Sequence, residues 1–206
     1  MRKTVRAILP LIFGLLLFSG CKGKVYPALY GTWVAPPVQL DTFTLLTDSG
    51  PVNSTGFEGQ LVVLAFGYTH CPDACPTTMA RLAKAMQLLG DEAKNVQVVL
   101  ISVDTARDTP ALLGRYVHAF NPDFIGATIE EPGQEPLYKA LGIFVEKASS
   151  DGTTPSDAEA PATSGYLVDH TTSTAVLDRS GNWQLVWNFE VTAEEMADDL
   201  RTLINR

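Results

Sequence analysis

The chain has 206 residues, of which 46% are hydrophobic and 18% charged, a balance typical of a folded domain rather than a disordered chain. Its formal net charge of −8 would repel the phosphate backbone of nucleic acids, and no stripe of basic residues interleaved with aromatics occurs. We therefore predict no nucleic-acid partner. The length suits one domain of ordinary size together with an anchor and a tether.

The N-terminus has the pattern of a bacterial export signal. Three basic residues precede a short apolar run, residues 7–18, which is shorter than the roughly 20 residues of a membrane-spanning helix. Residues 18–21 (FSGC) resemble a lipobox, in which the cysteine receives a diacylglycerol and becomes the mature N-terminus. We predict a signal peptide over residues 1–20 and lipidation at Cys21; simple cleavage that leaves an unmodified thiol is the alternative.

Cleavage and lipidation would leave an acidic protein attached to a membrane. Removal of the three basic residues changes the formal charge from −8 to −11. The lipid would hold the protein at the bacterial cell membrane, with its domain facing the periplasm or the cell exterior. Residues 22–40 mix glycine, proline and aromatics without a period, so residues 21–40 are predicted to form a tether that partly docks on a domain over residues 41–206.

The first elements of that domain are a hairpin, two buried strands and a helix between them. Residues 42–52 predict an N-terminal β-hairpin. The continuous apolar run 60–66 is typical of a central strand buried on both faces, and residues 95–103 predict a second buried strand. The intervening helix should begin at Pro76, because the residue before a proline avoids the helical region and Cys75 would then be its cap. That position should lower the pKa of the cysteine thiol.

The C-terminal half continues the alternation of strands and helices, which predicts an α/β sandwich that ends in an antiparallel hairpin. Residues 149–164 have no apolar period and are predicted to form a mobile insertion. The last helix should begin with a capping box formed by Thr192 and Glu195. The remaining predicted helices cover residues 109–120 and 135–141, and the remaining predicted strands cover residues 123–127, 144–147, 166–168, 174–177 and 183–187.

The number and spacing of the cysteines limit which metal ions the domain could bind. Lipidation of Cys21 would leave Cys71 and Cys75 as an isolated pair in an oxidising compartment. Thiolates are soft ligands that select Cu(I), zinc or iron–sulfur chemistry, and two cysteines are too few for a common iron–sulfur cluster. Three intervening residues leave room for a metal ion between the sulfurs. A structural disulfide is the alternative, although so short a loop would contribute little stability.

A third ligand could come from one of three histidines. His118 lies within a predicted helix, where a surface or packing role is expected. His70 adjoins Cys71, so its ring would have to fold back to reach the same ion, and a role in shaping the loop is expected. His170 lies in a polar break between two apolar segments, where a structural histidine and a metal ligand are equally good interpretations. The residues alone leave this choice open.

Three separated motifs resemble those of the Sco/SenC family, whose members are copper-binding, thioredoxin-like proteins that assist cytochrome c oxidase assembly. The motifs are residues 67–76 (GYTHCPDACP), residues 101–104 with 107–110 (ISVD and RDTP), and residues 168–170 (VDH). The resemblance extends from about residue 42 to the C-terminus. It implies a thioredoxin-like three-layer sandwich with a central mixed sheet, in addition to the N-terminal β-hairpin.

The resemblance also implies a site and a role. Cys71, Cys75 and His170 would bind one copper ion per chain, as Cu(I) or Cu(II), with Asp169 beside the site. The implied role is a metallochaperone that serves the binuclear copper centre of oxidase subunit II or another periplasmic copper protein. Two alternatives stay open: a thiol–disulfide oxidoreductase in which the two cysteines reduce those of the oxidase, and a redox or copper sensor. Enzymatic activity is expected only for the exchange role.

Overall fold

The computed structural model describes residues 27–130, 132–148 and 166–206. The predicted signal peptide, the lipidation site at Cys21 and the predicted insertion at 149–164 lie outside the described residues. Among the described residues, no helix combines the length and the hydrophobicity needed to cross a membrane.

Eight strands form the central mixed sheet in the order β1-β10-β9-β4-β5-β6-β2-β3, and two more form a separate antiparallel ribbon, β7–β8. Strands β4, β5 and β6 are parallel to one another, and the other pairings in the sheet are antiparallel. The strands are β1 (Thr32–Val38), β2 (Thr44–Thr47), β3 (Gly50–Asn53), β4 (Leu61–Gly67), β5 (Val96–Ser102), β6 (Ile125–Ile129), β7 (Val145–Ala148), β8 (Leu167–His170), β9 (Thr174–Leu177) and β10 (Trp183–Trp187).

Helices cover both faces of this sheet and complete three layers. They are α1 (Ala74–Leu89), α2 (Pro110–His118), α3 (Gln134–Leu141) and α4 (Ala193–Ile204). Alternate residues of β4 enter two separate hydrophobic clusters, one with α1, α2 and α4 and the other with α3 and β8. Every residue of β4 is buried, as the continuous apolar run predicted. The predicted capping box of α4 is also present, with Thr192 and Glu195 bonded reciprocally.

Two local features differ from the sequence pattern, and proline is involved in both. Helix α1 begins at Ala74 rather than Pro76, so Cys75 lies in the first turn and not at the cap. The first four amides of a helix have no intrahelical acceptor, so a proline in that turn removes no hydrogen bond. Residues 32–38, in the segment expected to dock partly, form edge strand β1 against β10. Consecutive prolines are compatible with an edge strand, although they interrupt the alternation of apolar and polar residues that usually predicts a strand.

Candidate metal centre

The two cysteines lie where β4 passes into α1. Cys71 is partly exposed in the connecting loop, whereas Cys75 is buried, with 4% of its surface accessible, and both thiols are free. The loop folds back on itself, since the Cys71 amide donates to the Tyr68 carbonyl oxygen at 3.2 Å. The Cys75 amide in turn donates to the Cys71 sulfur at 3.4 Å. The chain therefore presents both sulfurs on one side of the helix N-terminus.

His170 joins this pair from a distant part of the chain. It is the last residue of β8, and its Nε2 lies 3.6 Å from the Cys75 sulfur. The ligand atoms of Cys71, Cys75 and His170 all lie within 4.8 Å of one another. His170 Nδ1 lies 2.9 Å from the Thr171 carbonyl oxygen, and a proton donated there leaves the Nε2 lone pair free for a metal. No other potential metal-binding group of three such residues occurs within the described ranges.

The other two histidines lie outside this cluster. His70 is half exposed, and its Nδ1 lies 3.1 Å from Thr69 Oγ1 and 4.0 Å from an oxygen of Asp108. This position agrees with the predicted role in shaping the loop. His118 is exposed at the end of α2, as predicted for a surface residue. Asp169 is exposed on β8 beside His170 and is not a member of the cluster.

The backbone of β4 lies directly against the buried sulfur. A Cβ atom placed on Gly67 would lie 2.8 Å from the sulfur of Cys75 and 3.3 Å from Cδ1 of Leu100. Real Cβ atoms essentially never approach other atoms as closely as the first of these distances. Glycine is therefore required at this position for the sulfur to lie so close to the backbone of β4.

Burial changes the acidity of Cys75 in the direction opposite to the predicted one. Desolvation raises the pKa of its thiol, and the hydrogen bond with the Cys71 sulfur adds to that effect. The prediction of a lowered pKa was wrong because the stabilisation of a thiolate by the helix N-terminus is smaller than the cost of burying its charge. A metal ion that binds here must therefore displace a firmly held proton.

An ion pair near the end of β5 holds the segment that carries His170. Asp104, which is 1% exposed, accepts a hydrogen bond of 2.6 Å from the Tyr166 hydroxyl and pairs with Arg107. Arg107 also donates to the Tyr166 carbonyl oxygen at 3.1 Å, and its guanidinium carbon lies 3.6 Å from the centroid of the Tyr166 ring. Burial raises the pKa of Tyr166 to about 12, so this hydroxyl remains a donor.

Tyr68 connects the cysteine loop to β8, the strand that ends in His170. Its hydroxyl oxygen accepts a hydrogen bond of 3.1 Å from the Val168 amide, and its ring meets the His170 ring edge-on with centroids 6.0 Å apart. Asp108 fixes the other side of the loop, since it accepts hydrogen bonds from the Thr69 amide at 3.0 Å and from the Ser102 hydroxyl at 2.7 Å. These side chains position the two ligand segments relative to each other.

The sequence analysis assigned no role to these supporting residues. Asp104, Arg107 and Asp108 belong to motifs that were noted only for their resemblance. A signal was available, because two carboxylates and an arginine follow a mostly apolar strand within six residues. Charged residues at that place are often buried and paired with one another.

The chain is similar to proteins of one known family, in both sequence and structure. Residues 36–205 match the family model described as SCO1/SenC. The protein SenC of Rhodobacter capsulatus is 33% identical over 159 residues, which cover 77% of this chain and 67% of SenC. Apo Sco1 from Thermus thermophilus matches with a TM-score of 0.72 and 33% identity over 85% of this chain and 97% of Sco1. ScoI of Bradyrhizobium japonicum, solved with copper bound, matches with a TM-score of 0.66 and 29% identity over 79% and 98%. The predicted thioredoxin-like fold is confirmed.

Proposed function

This chain belongs to the SCO1/SenC family, and from that premise we propose that it binds copper through Cys71, Cys75 and His170 and acts in cytochrome c oxidase assembly. The observation that carries the proposal is the convergence of two sulfurs and one imidazole nitrogen within 4.8 Å. The copper-bound ScoI of Bradyrhizobium japonicum supports copper as the metal. One ion per chain is expected.

The chemistry of the three ligands suits an ion that must be bound and released. Two thiolates and an imidazole give Cu(I) a site of low coordination number, and the same ligands can hold Cu(II) with one position open. Cys75 is buried, but Cys71 and His170 are partly exposed. A ligand of a recipient protein can therefore reach the ion from the side of Cys71 while Cys75 still holds it.

The recipient that we propose is the binuclear copper centre of oxidase subunit II. A thiolate of the recipient would replace Cys71 first, because it is the more accessible sulfur, and His170 and Cys75 would then release the ion. Two recipient thiols would each lose a proton on binding the ion, and the freed sulfurs of Cys71 and Cys75 would take up two protons, of which the one on Cys75 is favoured by burial in the absence of metal.

Thiol–disulfide exchange is a second candidate function, favoured by the unequal exposure of the two thiols. Cys71 would attack one sulfur of a partner disulfide to form a mixed disulfide and expel the first partner thiolate. Cys75 would then attack the Cys71 sulfur and release the second one. The partner gains two electrons, and this chain ends with a Cys71–Cys75 disulfide. The Cys75 amide nitrogen lies 3.4 Å from the Cys71 sulfur, and this closeness of the two residues supports formation of the disulfide.

Replacement of His170 separates the two functions. We expect the His170→Ala protein to lose stable copper binding but to keep dithiol exchange, since the imidazole is a ligand only. His118→Ala is the matched control, because that exposed histidine lies outside the cluster, and it should bind one copper ion. Copper titration followed by thiolate-to-Cu(II) absorption measures binding. In a deletion strain, oxidase activity restored by the His170→Ala protein without added copper would contradict the copper role and favour exchange.

A further inference from the structure

The β7–β8 ribbon has one face that points away from the metal centre. Its register pairs Val145 with His170 and Glu146 with Asp169. Successive side chains of a strand point to opposite faces, so Glu146 and Asp169 share the face opposite to that of His170. By the same alternation, Leu167 lies on that face too, and Phe144 continues it just before β7. We refer to Phe144, Glu146, Leu167 and Asp169 as the outer ribbon face.

This face exposes an unusual amount of apolar surface. Phe144 is 59% exposed and Leu167 is 41% exposed. The described residues include only three other exposed large hydrophobic side chains, and none of those lies on the ribbon. The backbone of Phe144 is fixed, because its amide donates to Thr171 Oγ1 at 2.9 Å and its carbonyl oxygen accepts from the Thr171 amide at 3.1 Å. The residue that carries the exposed ring is thus anchored by its backbone one position before β7, the strand that pairs with His170.

The same face carries two carboxylates of like charge. Glu146 and Asp169 are directly opposite in register, an arrangement that is unfavourable for like charges. Neither forms an ion pair with a Lys or Arg of the described ranges. Lys147 belongs to the other face, where its ammonium lies 5.4 Å from the Tyr166 ring centroid. Residues 149–164 contain three acidic residues and no Lys or Arg, so that segment offers no cation either.

We propose that the outer ribbon face docks the copper-exchanging partner through a basic side chain flanked by apolar ones. The cation would lie between Glu146 and Asp169 and relieve their repulsion, while the apolar groups would cover Phe144 and Leu167. Docking there places the partner against the strand that ends in His170, on the face opposite to the imidazole. Because the ribbon is only two strands wide, a loop of the docked partner can extend past its edge to the metal. The inference rests on the proposed copper-carrier function and adds the surface and the chemistry of the partner.

The test compares charge and contact variants at this face. Glu146→Lys replaces the like-charge pair with an opposite-charge pair, which should preserve the ribbon, and Phe144→Ser removes the exposed ring. Glu58→Lys is the matched control, because Glu58 is an exposed acid before the start of β4, at the end of that strand remote from Cys71. The probe is the copper-free soluble domain of oxidase subunit II, titrated at low and high salt against each copper-loaded protein.

We expect each ribbon variant to bind this domain about tenfold more weakly at low salt, with the control within about twofold of the unaltered protein. The Glu146→Lys protein should also lose most of the salt dependence of binding. All variants should hold one copper ion and pass it to bathocuproine at an unaltered rate, which shows that the site itself is intact.

Two different failures can be distinguished. Binding by the unaltered protein that both ribbon variants retain in full would overturn the docking inference and leave the proposed function in place. Failure of the unaltered, copper-loaded protein to bind the subunit II domain would overturn the proposed recipient and the docking inference with it. A ribbon variant that binds less than one copper ion would also count against the inference, because its residues would then belong to the metal centre.

Discussion

A single methyl group at Gly67 should weaken copper binding although no ligand residue is replaced. Its carbon would lie 2.8 Å from the Cys75 sulfur, and ordinary contact begins at 3.4 Å, so the two atoms must separate by about 0.6 Å. The glycine backbone cannot easily yield, since its carbonyl oxygen accepts from the Val103 amide at 2.9 Å within the paired strands β4 and β5. The sulfur must therefore be displaced from its present position.

The size of the expected loss in copper affinity follows from how accurately a metal site must position its ligands. Metal ligands need to lie within about 0.5 Å of their productive positions, and comparable displacements cost about 10- to 100-fold in affinity. The extra carbon should also destabilise the apo protein by about 1–3 kcal/mol, as overpacking of a full core does. We expect the Gly67→Ala protein to bind one copper ion still, but at this lower affinity.

The assay is competition for Cu(I) against a chelator of known affinity, together with thermal unfolding of the apo protein. Gly56→Ala is the matched control, because the nearest neighbour of a Cβ atom there is Cγ1 of Val52 at an ordinary 3.7 Å. That variant should keep the unaltered affinity. Wild-type affinity in the Gly67→Ala protein would refute the conclusion that close packing of β4 fixes the position of the sulfur.

Four further predictions concern the supporting side chains, the thiols and the anchor. Tyr68→Phe should lower the free energy of unfolding by about 1–3 kcal/mol, because a buried amide of β8 loses its acceptor, and chemical denaturation will measure this. Iodoacetamide should label Cys71 before Cys75, whose pKa is raised by burial, and equal labelling rates in peptide mass spectra would argue against this. Tyr166 has a pKa of about 12 when folded against about 10 when unfolded, so its stabilising contribution should be complete below pH 10 and lost between pH 10 and 12 in alkaline unfolding curves. The mature protein should carry a lipid on Cys21, and an unmodified cysteine in its mass spectrum would contradict the anchor.

The elements that could be predicted from sequence are those whose signal is local. The apolar run that forms β4 and the capping box at Thr192 each contain the information that specifies them. Edge strand β1 was not indicated, since its prolines are compatible with pairing on one side only and suppress the usual alternation. The start of α1 was misplaced by two residues, because the preference of a residue before proline is weaker than the requirements of the fold.

The candidate site could be predicted only in part, because some of its features depend on contacts between distant parts of the chain. The spacing of Cys71 and Cys75 is local and indicated a soft metal. The position of His170 depends on pairing between β7 and β8 across a long intervening segment, and no local pattern encodes that pairing. The acidity of Cys75 depends on its burial against the backbone of Gly67, which is a property of tertiary packing.

If copper binds Cys75 and His170 as proposed, the 95-residue separation between them makes the ion a reversible cross-link. An ion that joins them closes a long loop, and in the unfolded chain that closure would be opposed by entropy. The folded form therefore gains stability in proportion to the logarithm of copper concentration above the dissociation constant. Copper starvation would leave a chain that opens more often and is degraded faster, so the cellular lifetime of this protein would report the copper supply.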